Sequence, residues 1–488
     1  MAEPHKEPGA EGASTEVRAA HRKAVALSVA AAVGGFLFGF DSSVINGAVD
    51  AIETDFELSA TLTGFSVAVA LLGCALGAWY AGRLADRWGR PRVMLVGALM
   101  FLVSAIGSGF AFAVWDLILW RVVGGVGIGI ASVITPAYIA EISPSAIRGR
   151  LASLQQLAIT IGIFAALLSD QVFASTAGDV ASGTPIALGD SLFGLEAWRW
   201  MFLVAVIPSA VYAWVALSVP ESPRYLVAKG KVEEARTVLR SVLGPVDVDA
   251  KIDAIEESVR RDAALEKKAS LRGPRFGLLP IVWVGILLSV FQQFVGINVI
   301  FYYSTTLWRS VGFDASDSFT FSTITAVTNV VVTFIAIALV DKVGRKPLLL
   351  AGSAGMTLSL GTMAVAFTQA TGTGDDVSLP GSWGMIALVA ANVFVVSFGA
   401  TWGPVVWVLL GEMFPNRIRA SALALAAAAQ WIANFTITVT FPPMAEHLGL
   451  EVVYGMYGTF ALLSFFFVLT KIKETRNREL EDMGSGTD

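Results

Sequence analysis

Three carboxamides stand close together in the run Gln292-Gln293-Phe294-Val295-Gly296-Ile297-Asn298, inside an apolar stretch that opens near Leu278. An amide left in hydrocarbon without a partner is strongly penalised, so these side chains must face protein or a water-filled cavity. At about 100° per residue, Gln292, Gln293 and Asn298 share one broad face of a continuous helix, with Gly296 between them. Amides offer donors and acceptors side by side, which suits an uncharged ligand covered in hydroxyls. A hydrogen-bonded seam between membrane helices would use the same residue types. A second pair of residues invites chemistry of another kind. Asp41 and Arg121 are charges inside apolar runs, where an unpaired charge is penalised by about 2.5–3.5 kcal/mol on the mildest scale. An ion pair, or a protonated acid, relieves that penalty.

The chain that must position them has 488 residues, 55% of them hydrophobic and 15% charged, with a mean hydropathy of +0.67. Soluble domains carry about 25% charged residues, so this composition describes a polytopic membrane protein. A single cysteine, Cys74, excludes an intramolecular disulfide, and three histidines suggest no metal site. No nucleophile–base set falls on the inner faces, so an enzyme is not expected, nor is a cofactor or a nucleic-acid partner. The glycine run Gly124-Gly125-Val126-Gly127-Ile128-Gly129 has no preceding strand and no Lys, and reads as close helix packing instead of a nucleotide loop.

Apolar runs long enough to cross a bilayer, roughly 20 residues each, begin near Ala24, Thr61, Val93, Leu117, Leu151, Trp198, Leu278, Phe321, Leu348, Trp383, Ala422 and Val452. Residues 1–22 are polar and read as a disordered tail; the run that follows is too long for a signal peptide. Alternate loops then sort by charge. Those around Asp50–Glu57, Asp170–Glu196, Asp375 and Glu446 lack Lys and Arg, whereas the others carry Arg83, Arg87, Arg90, Arg92, Arg148, Arg150, Lys342, Arg345, Lys346, Arg417 and Arg419. Only Arg309 breaks the pattern. The positive-inside rule puts the basic loops and both termini in the cytoplasm. By depth, Asp41 then lies roughly 25 Å from the cytoplasmic end of span one, and Arg121 enters span four from the other side to a similar level.

The expected organisation is a tail (1–22), a six-helix bundle (23–219), a charged helical linker on the cytoplasmic side (220–275), a second six-helix bundle (276–471) and a second tail (472–488). The bundles repeat each other. Gly82-Arg83-Leu84-Ala85-Asp86-Arg87-Trp88-Gly89-Arg90 after span two matches Ala338-Leu339-Val340-Asp341-Lys342-Val343-Gly344-Arg345-Lys346 after span eight. Glu141-Ile142-Ser143-Pro144-Ser145-Ala146-Ile147-Arg148 after span four matches Glu412-Met413-Phe414-Pro415-Asn416-Arg417-Ile418-Arg419 after span ten. Parallel repeats of six spans, with a site at their interface near the midplane, describe the major facilitator architecture. The repeated Glu, Asp and Arg residues, with Arg87, Arg90, Arg345, Glu221 and Arg224, are expected to form ion-pair networks at the cytoplasmic end. These networks would pair across the halves and part when the inner gate opens.

With these motifs in place, the chain resembles a sugar porter of the major facilitator superfamily, and in particular the bacterial proton-coupled xylose, galactose and glucose symporters. The resemblance runs from about Ala24 to Glu479. It rests on Gly39-Phe40-Asp41, the two repeated loops, Pro220-Glu221-Ser222-Pro223-Arg224, the Gln292–Tyr303 stretch, Gly403-Pro404-Val405-Val406-Trp407 and Glu474-Thr475-Arg476. Lys473 departs from the pattern, which usually has Pro there. The resemblance implies an all-α membrane protein and sugar ligands at Gln156, Gln292, Gln293, Asn298, Asn329, Trp407, Gln430, Trp431 and Asn434, with Phe38 and Tyr303 adding apolar and gating contacts. It also implies that Asp41 carries the proton, with Arg121 as its charge-sensitive partner, because facilitative relatives have a neutral residue there. The expected partners are a monosaccharide (a hexose such as glucose or galactose, or xylose), a proton and the lipid bilayer, for a monomer in the plasma membrane. A passive uniporter and a non-transporting sugar sensor are the alternatives; the short C-terminal tail speaks against the sensor.

Overall fold

The computed structural model describes residues 9–143, 148–178, 180, 184–243, 248–266, 271–273, 277–371, 378–414 and 418–474. Among them, twelve stretches are long and apolar enough to cross a bilayer. Span one is α1 (Gly9–Ser43) continued by α2 (Ile45–Asp55). It is followed by α3 (Ala60–Trp88), α4 (Arg90–Gly109), α5 (Val114–Ile142), α6 (Arg148–Ser175) and the sixth span, α7 (Ala197–Leu203) with α8 (Val206–Ser218). The linker holds α9 (Pro223–Ala228), α10 (Val232–Leu243) and α11 (Val248–Glu266). Spans seven to nine are α12 (Pro280–Phe294) with α13 (Ile297–Ser310), α14 (Ala315–Val343) and α15 (Arg345–Phe367). Span ten is α16 (Trp383–Ser397), a π-turn (Phe398–Trp402) and α17 (Gly403–Met413), and α18 (Arg419–Leu448) and α19 (Leu450–Lys471) complete the set.

Two expectations are corrected. Residues 9–22 belong to α1 instead of a disordered tail. Their Ala-, Glu- and Arg-rich composition favours helix, Ala20 and Ala24 are buried, and α1 packs against the linker helix α10. Span seven is also not one continuous helix. It breaks at Gly296, whose φ is +81°; a Cβ there would lie 2.4 Å from the Tyr457 ring, so only glycine fits both the backbone and the space. Gln292 and Gln293 therefore end α12, and Asn298 starts α13.

Close packing positions the remaining elements. The glycine run of α5 lies against α3: a Cβ on Gly125 would fall 2.0 Å from the Ala70 carbonyl oxygen, and one on Gly129 2.2 Å from that of Cys74. Backbones this near are what small residues permit between membrane helices. Gly124 leaves room beside Asp41, whose Oδ2 would be 3.4 Å from an added Cβ. The linker helices bury Leu226, Ala235, Leu239 and Ile252 in a small core of their own.

Candidate functional site

The amides of span seven form a chain. Asn298 donates through Nδ2 to Gln293 Oε1 at 2.6 Å, and Gln293 donates to Gln292 Oε1 at 3.4 Å. Gln292 in turn donates to the Trp402 carbonyl at 2.9 Å and the Gly403 carbonyl at 3.3 Å. Those carbonyls belong to the π-turn of span ten and the residue after it, where the widened turn releases backbone acceptors for a side chain to satisfy. Gln292 and Gln293 are buried, and Asn298 is half-buried. Asn329, 8% exposed, faces the same turn, its Oδ1 close to Gly399.

A second group joins the two halves. The rings of Phe38 in α1 and Trp431 in α18 lie 6.0 Å apart. Asn434 accepts from Thr438 Oγ1 at 3.1 Å, and Tyr302 interacts with both Asn434 and Ser42. Gln430, on the same helix as Trp431, has a buried Oε1 with no hydrogen-bond partner, an acceptor that a ligand hydroxyl would satisfy. Gln156 is half-buried on α6, and Trp407 on α17 is 42% exposed; no bond among the described residues joins either to the amide chain. Tyr303 is fully buried and ties α13 to α18, donating to the Thr438 carbonyl at 3.1 Å with its ring against Phe441. In this conformation it is a strut between spans seven and eleven.

Asp41 and Arg121 meet as their depths suggested. Arg121 donates through one terminal nitrogen to Asp41 Oδ2 at 3.4 Å and to the Asp41 carbonyl at 3.2 Å. Both side chains are buried. Charge-assisted bonds normally close to about 2.7–2.9 Å, and here the guanidinium Nε has no partner. The pair is thus long and made through a single guanidinium nitrogen. A small cavity beside it is lined by Phe38, Ser42, Arg121 and Tyr302, among others, so residues of the ion pair and of the cross-half group share one wall. A larger recess of about 590 Å³ between α1, α6 and α8 is lined only by apolar side chains such as Val33, Leu157, Ile161 and Val211, which offers a polyhydroxylated ligand nothing to bond.

At the end of the molecule that bears the linker, the sequence repeat becomes a geometric one. Arg90 forks onto Glu141 at 3.0 and 2.9 Å, and Arg345 forks onto Glu412 at 3.2 and 2.9 Å. Glu221 accepts from the Arg90 backbone N–H at 2.9 Å, while Glu474 accepts from those of Arg345 and Lys346 at 3.0 Å. Each carboxylate caps a helix N-terminus, where orphan donors and the helix dipole favour a negative charge. Burial holds the Glu221 carboxyl above the usual carboxylate range, against the lowering effect of its backbone donors. These forks lie within a half, whereas the expected pairing across the halves is one that parts when the inner gate opens. Reach accounts for the forks: each Arg opens the helix that follows its loop, and its Glu closes a helix of the same bundle. Asp86 adds a 3.1 Å pair to Arg90 but is 73% exposed, and such pairs contribute little. Arg87 accepts through its carbonyl from Tyr225, and Arg224 donates to Ser258 inside the linker. The side chains of Arg148, Asp341 and Arg419 lie outside the described residues. Glu474, part of the Glu474-Thr475-Arg476 motif but outside the expected network, does in the second half what Glu221 does in the first, and their equivalent places after spans six and twelve are the signal for it.

The opposite end holds contacts that sequence reasoning missed. Asn46 donates to the Phe301 carbonyl and to Ser304 Oγ, both at 2.9 Å, and accepts from Thr305 Oγ1 at 2.8 Å. Asp50 accepts from Thr306 at 2.7 Å and from Arg309 at 2.6 Å. Gln171 in α6 bonds Thr320 and Thr323 in α14. All of these join one half to the other.

Similarity places the chain in its class. Residues 27–486 match the family described as sugar (and other) transporter. The chain is 54% identical over 457 residues to a glucose transport protein of Synechocystis, covering 94% of this chain and 96% of that protein. It is 35% identical over 492 residues to the D-xylose-proton symporter of Escherichia coli, covering 94% of each. The inward open structure of the E. coli xylose transporter superposes with a TM-score of 0.79 at 33% identity, covering 94% of this chain and 99% of that one. The proton:xylose symporter bound to 6-bromo-6-deoxy-D-glucose gives 0.76, covering 98% and 100%. The fold is that of the major facilitator superfamily, and the chain belongs to its sugar porter family. It is a multi-pass membrane protein that transports sugar and is not an enzyme.

Proposed function

We propose that this transporter imports a monosaccharide together with a proton by alternating access, as a monomer in the plasma membrane with both termini and the linker in the cytoplasm. Glucose is the first sugar to test, because the relative at 54% identity is named for it; galactose and xylose follow. The observation that carries the reading is the buried Asp41–Arg121 pair beside a cavity whose wall includes Phe38 and Tyr302. An acid that can lose its cation partner, beside a wall shared with the group that joins the two halves, links a proton to a neutral ligand. While Arg121 is close, the carboxylate is compensated. When span one shifts against span four during the cycle and the pair separates, a proton must replace the cation, since an uncompensated charge is costly in the membrane.

In this reading Gln156, Gln292, Gln293, Asn298, Asn329, Gln430 and Asn434 bond sugar hydroxyls. Trp407 and Trp431 pack on its C–H face, Phe38 seals the chamber, and Tyr303 moves with the gate. The cross-half bonds through Asn46, Asp50 and Gln171 close the outer side, which makes this conformation inward-facing. The repeated Arg–Glu forks brace each half at the cytoplasmic end. Uptake of labelled glucose into vesicles, with and without an inward proton gradient, tests the proposal. Uphill accumulation that Asp41→Asn abolishes, with downhill exchange spared, is expected. Accumulation undiminished in that variant removes the proton assignment, and gradient-independent uptake in the unmutated protein makes it a uniporter.

A further inference from the structure

Asp170 is a membrane-buried acid that the mechanism above does not use. It sits on α6, only 1% exposed. Its Oδ2 accepts from the Gly47 backbone N–H at 3.1 Å, and its Oδ1 has no partner. Gly47 is what admits the carboxyl: a Cβ there would stand 2.7 Å from the Asp170 Cβ. One helical turn before Gly47, on the same face of span one, the hydroxyl of Ser43 is likewise buried without a partner.

At the end of the bundle that holds Asp170, the charged groups on the elements packed around α6 are engaged elsewhere or exposed. In span one Asp41 is held by Arg121, and Asp50 by Arg309. Asp55 and Arg199 of α7 face each other, with Glu196, and Glu53 interacts with Thr63. In α5 Asp116 accepts from the Phe112 N–H. At the start of α14, Asp314 accepts from the N–H of Asp317, whose own carboxyl is exposed. The short helix Ile186–Leu188 carries no charge. Among the described residues no ion pair reaches Asp170, so an ionised carboxylate there would rest on one backbone donor. A carboxyl in such surroundings is carried as the neutral acid. The residues next to the Asp170–Gly47 contact, Gln171 and Asn46, are the ones that bond across the halves at the outer end. Opening that seam lets water in beside the acid.

We infer that Asp170 is a second proton-binding site, which keeps its proton while the outer seam is shut and titrates when the seam opens. The proton is taken from and returned to the outside, so it sets the readiness of the outer gate to close without being carried across. The inference rests on the alternating-access reading and not on the role of Asp41, so the two fail separately. The test uses the full chain in proteoliposomes with equal glucose on both sides, where exchange of labelled sugar needs no net proton movement, compared with and without Asp170→Asn. Exchange is expected to slow as external pH is raised, and adding Asp170→Asn to flatten that profile. Infrared spectra of the unmutated protein should show a protonated carboxyl C=O band that Asp170→Asn removes. The same profile with and without Asp170→Asn, or an unchanged band, overturns the proposal. If Asp170→Asn gives too little protein, Asp170→Glu keeps a titratable group on a longer arm. It must then move the midpoint of the profile, and an unmoved midpoint overturns the proposal as well.

Discussion

Gln292 spends its amide on two carbonyls of span ten, so it positions the π-turn as much as it awaits a ligand. Gln292→Ala strands a buried carbonyl, at a cost of about 1–3 kcal/mol, and removes a ligand contact. Glucose binding followed by tryptophan fluorescence should weaken by about 5- to 150-fold, whereas Gln292→Glu, which cannot donate to those carbonyls when ionised, should be no better than Ala. Unchanged affinity in both would show that the amide faces neither ligand nor turn. Gly296→Ala faces a harder obstacle, a left-handed backbone against the Tyr457 ring, and should lower the yield of folded protein and its Tm. The proximity of Asp41 and Arg121 was legible because charges in hydrocarbon must find each other and their depths can be counted. The break at Gly296 was not, since a glycine inside an apolar run reads equally well as a packing residue. Nothing local marks the π-turn of span ten either.

At the scale of elements, the duplicated loops were readable in full, spacing for spacing. What they build was only partly so. Each Arg forks onto a Glu of its own half, and each following helix is capped by a distant carboxylate, Glu221 in one half and Glu474 in the other. The direction of the forks follows from three-dimensional reach, which spacing alone does not encode. Because the two caps do equivalent work, Glu221→Gln and Glu474→Gln should each destabilise their own half by about 1 kcal/mol, the scale of a lost helix cap. A double-mutant cycle on Arg345 and Glu412 should return a coupling of about 1 kcal/mol or more, since both side chains are largely buried. A coupling near zero would reduce the fork to a solvated surface pair. Arg309, the one cation that broke the charge rule, also finds its place at this scale. It answers Asp50 on the opposite half, a pairing that no sequence window contains.

For the whole molecule, the cross-half seam opposite the linker would, in the proposed cycle, be the device that selects the inward-facing state. Its bonds are of unequal weight. Asp50–Arg309 is partly exposed, with side chains 20% and 30% accessible, and such pairs are worth at most about 1 kcal/mol. Asn46 is buried with its amide fully used, so Asn46→Ala should cost the closed seam about 1–3 kcal/mol. Spin-label distances across the outer ends of spans one and seven should therefore shift toward the open population in Asn46→Ala, and much less in Arg309→Ala. Equal distributions in all three proteins would relocate the gate. Sugar and proton moving together is what the proposed cycle requires above all. The most direct measurement is the reversal point in proteoliposomes with the membrane potential clamped at zero and one pH unit across the membrane. One carried proton per sugar predicts that net glucose flux stops when the sugar gradient opposes the proton gradient at about tenfold. Flux that stops only at equal glucose concentrations would contradict it.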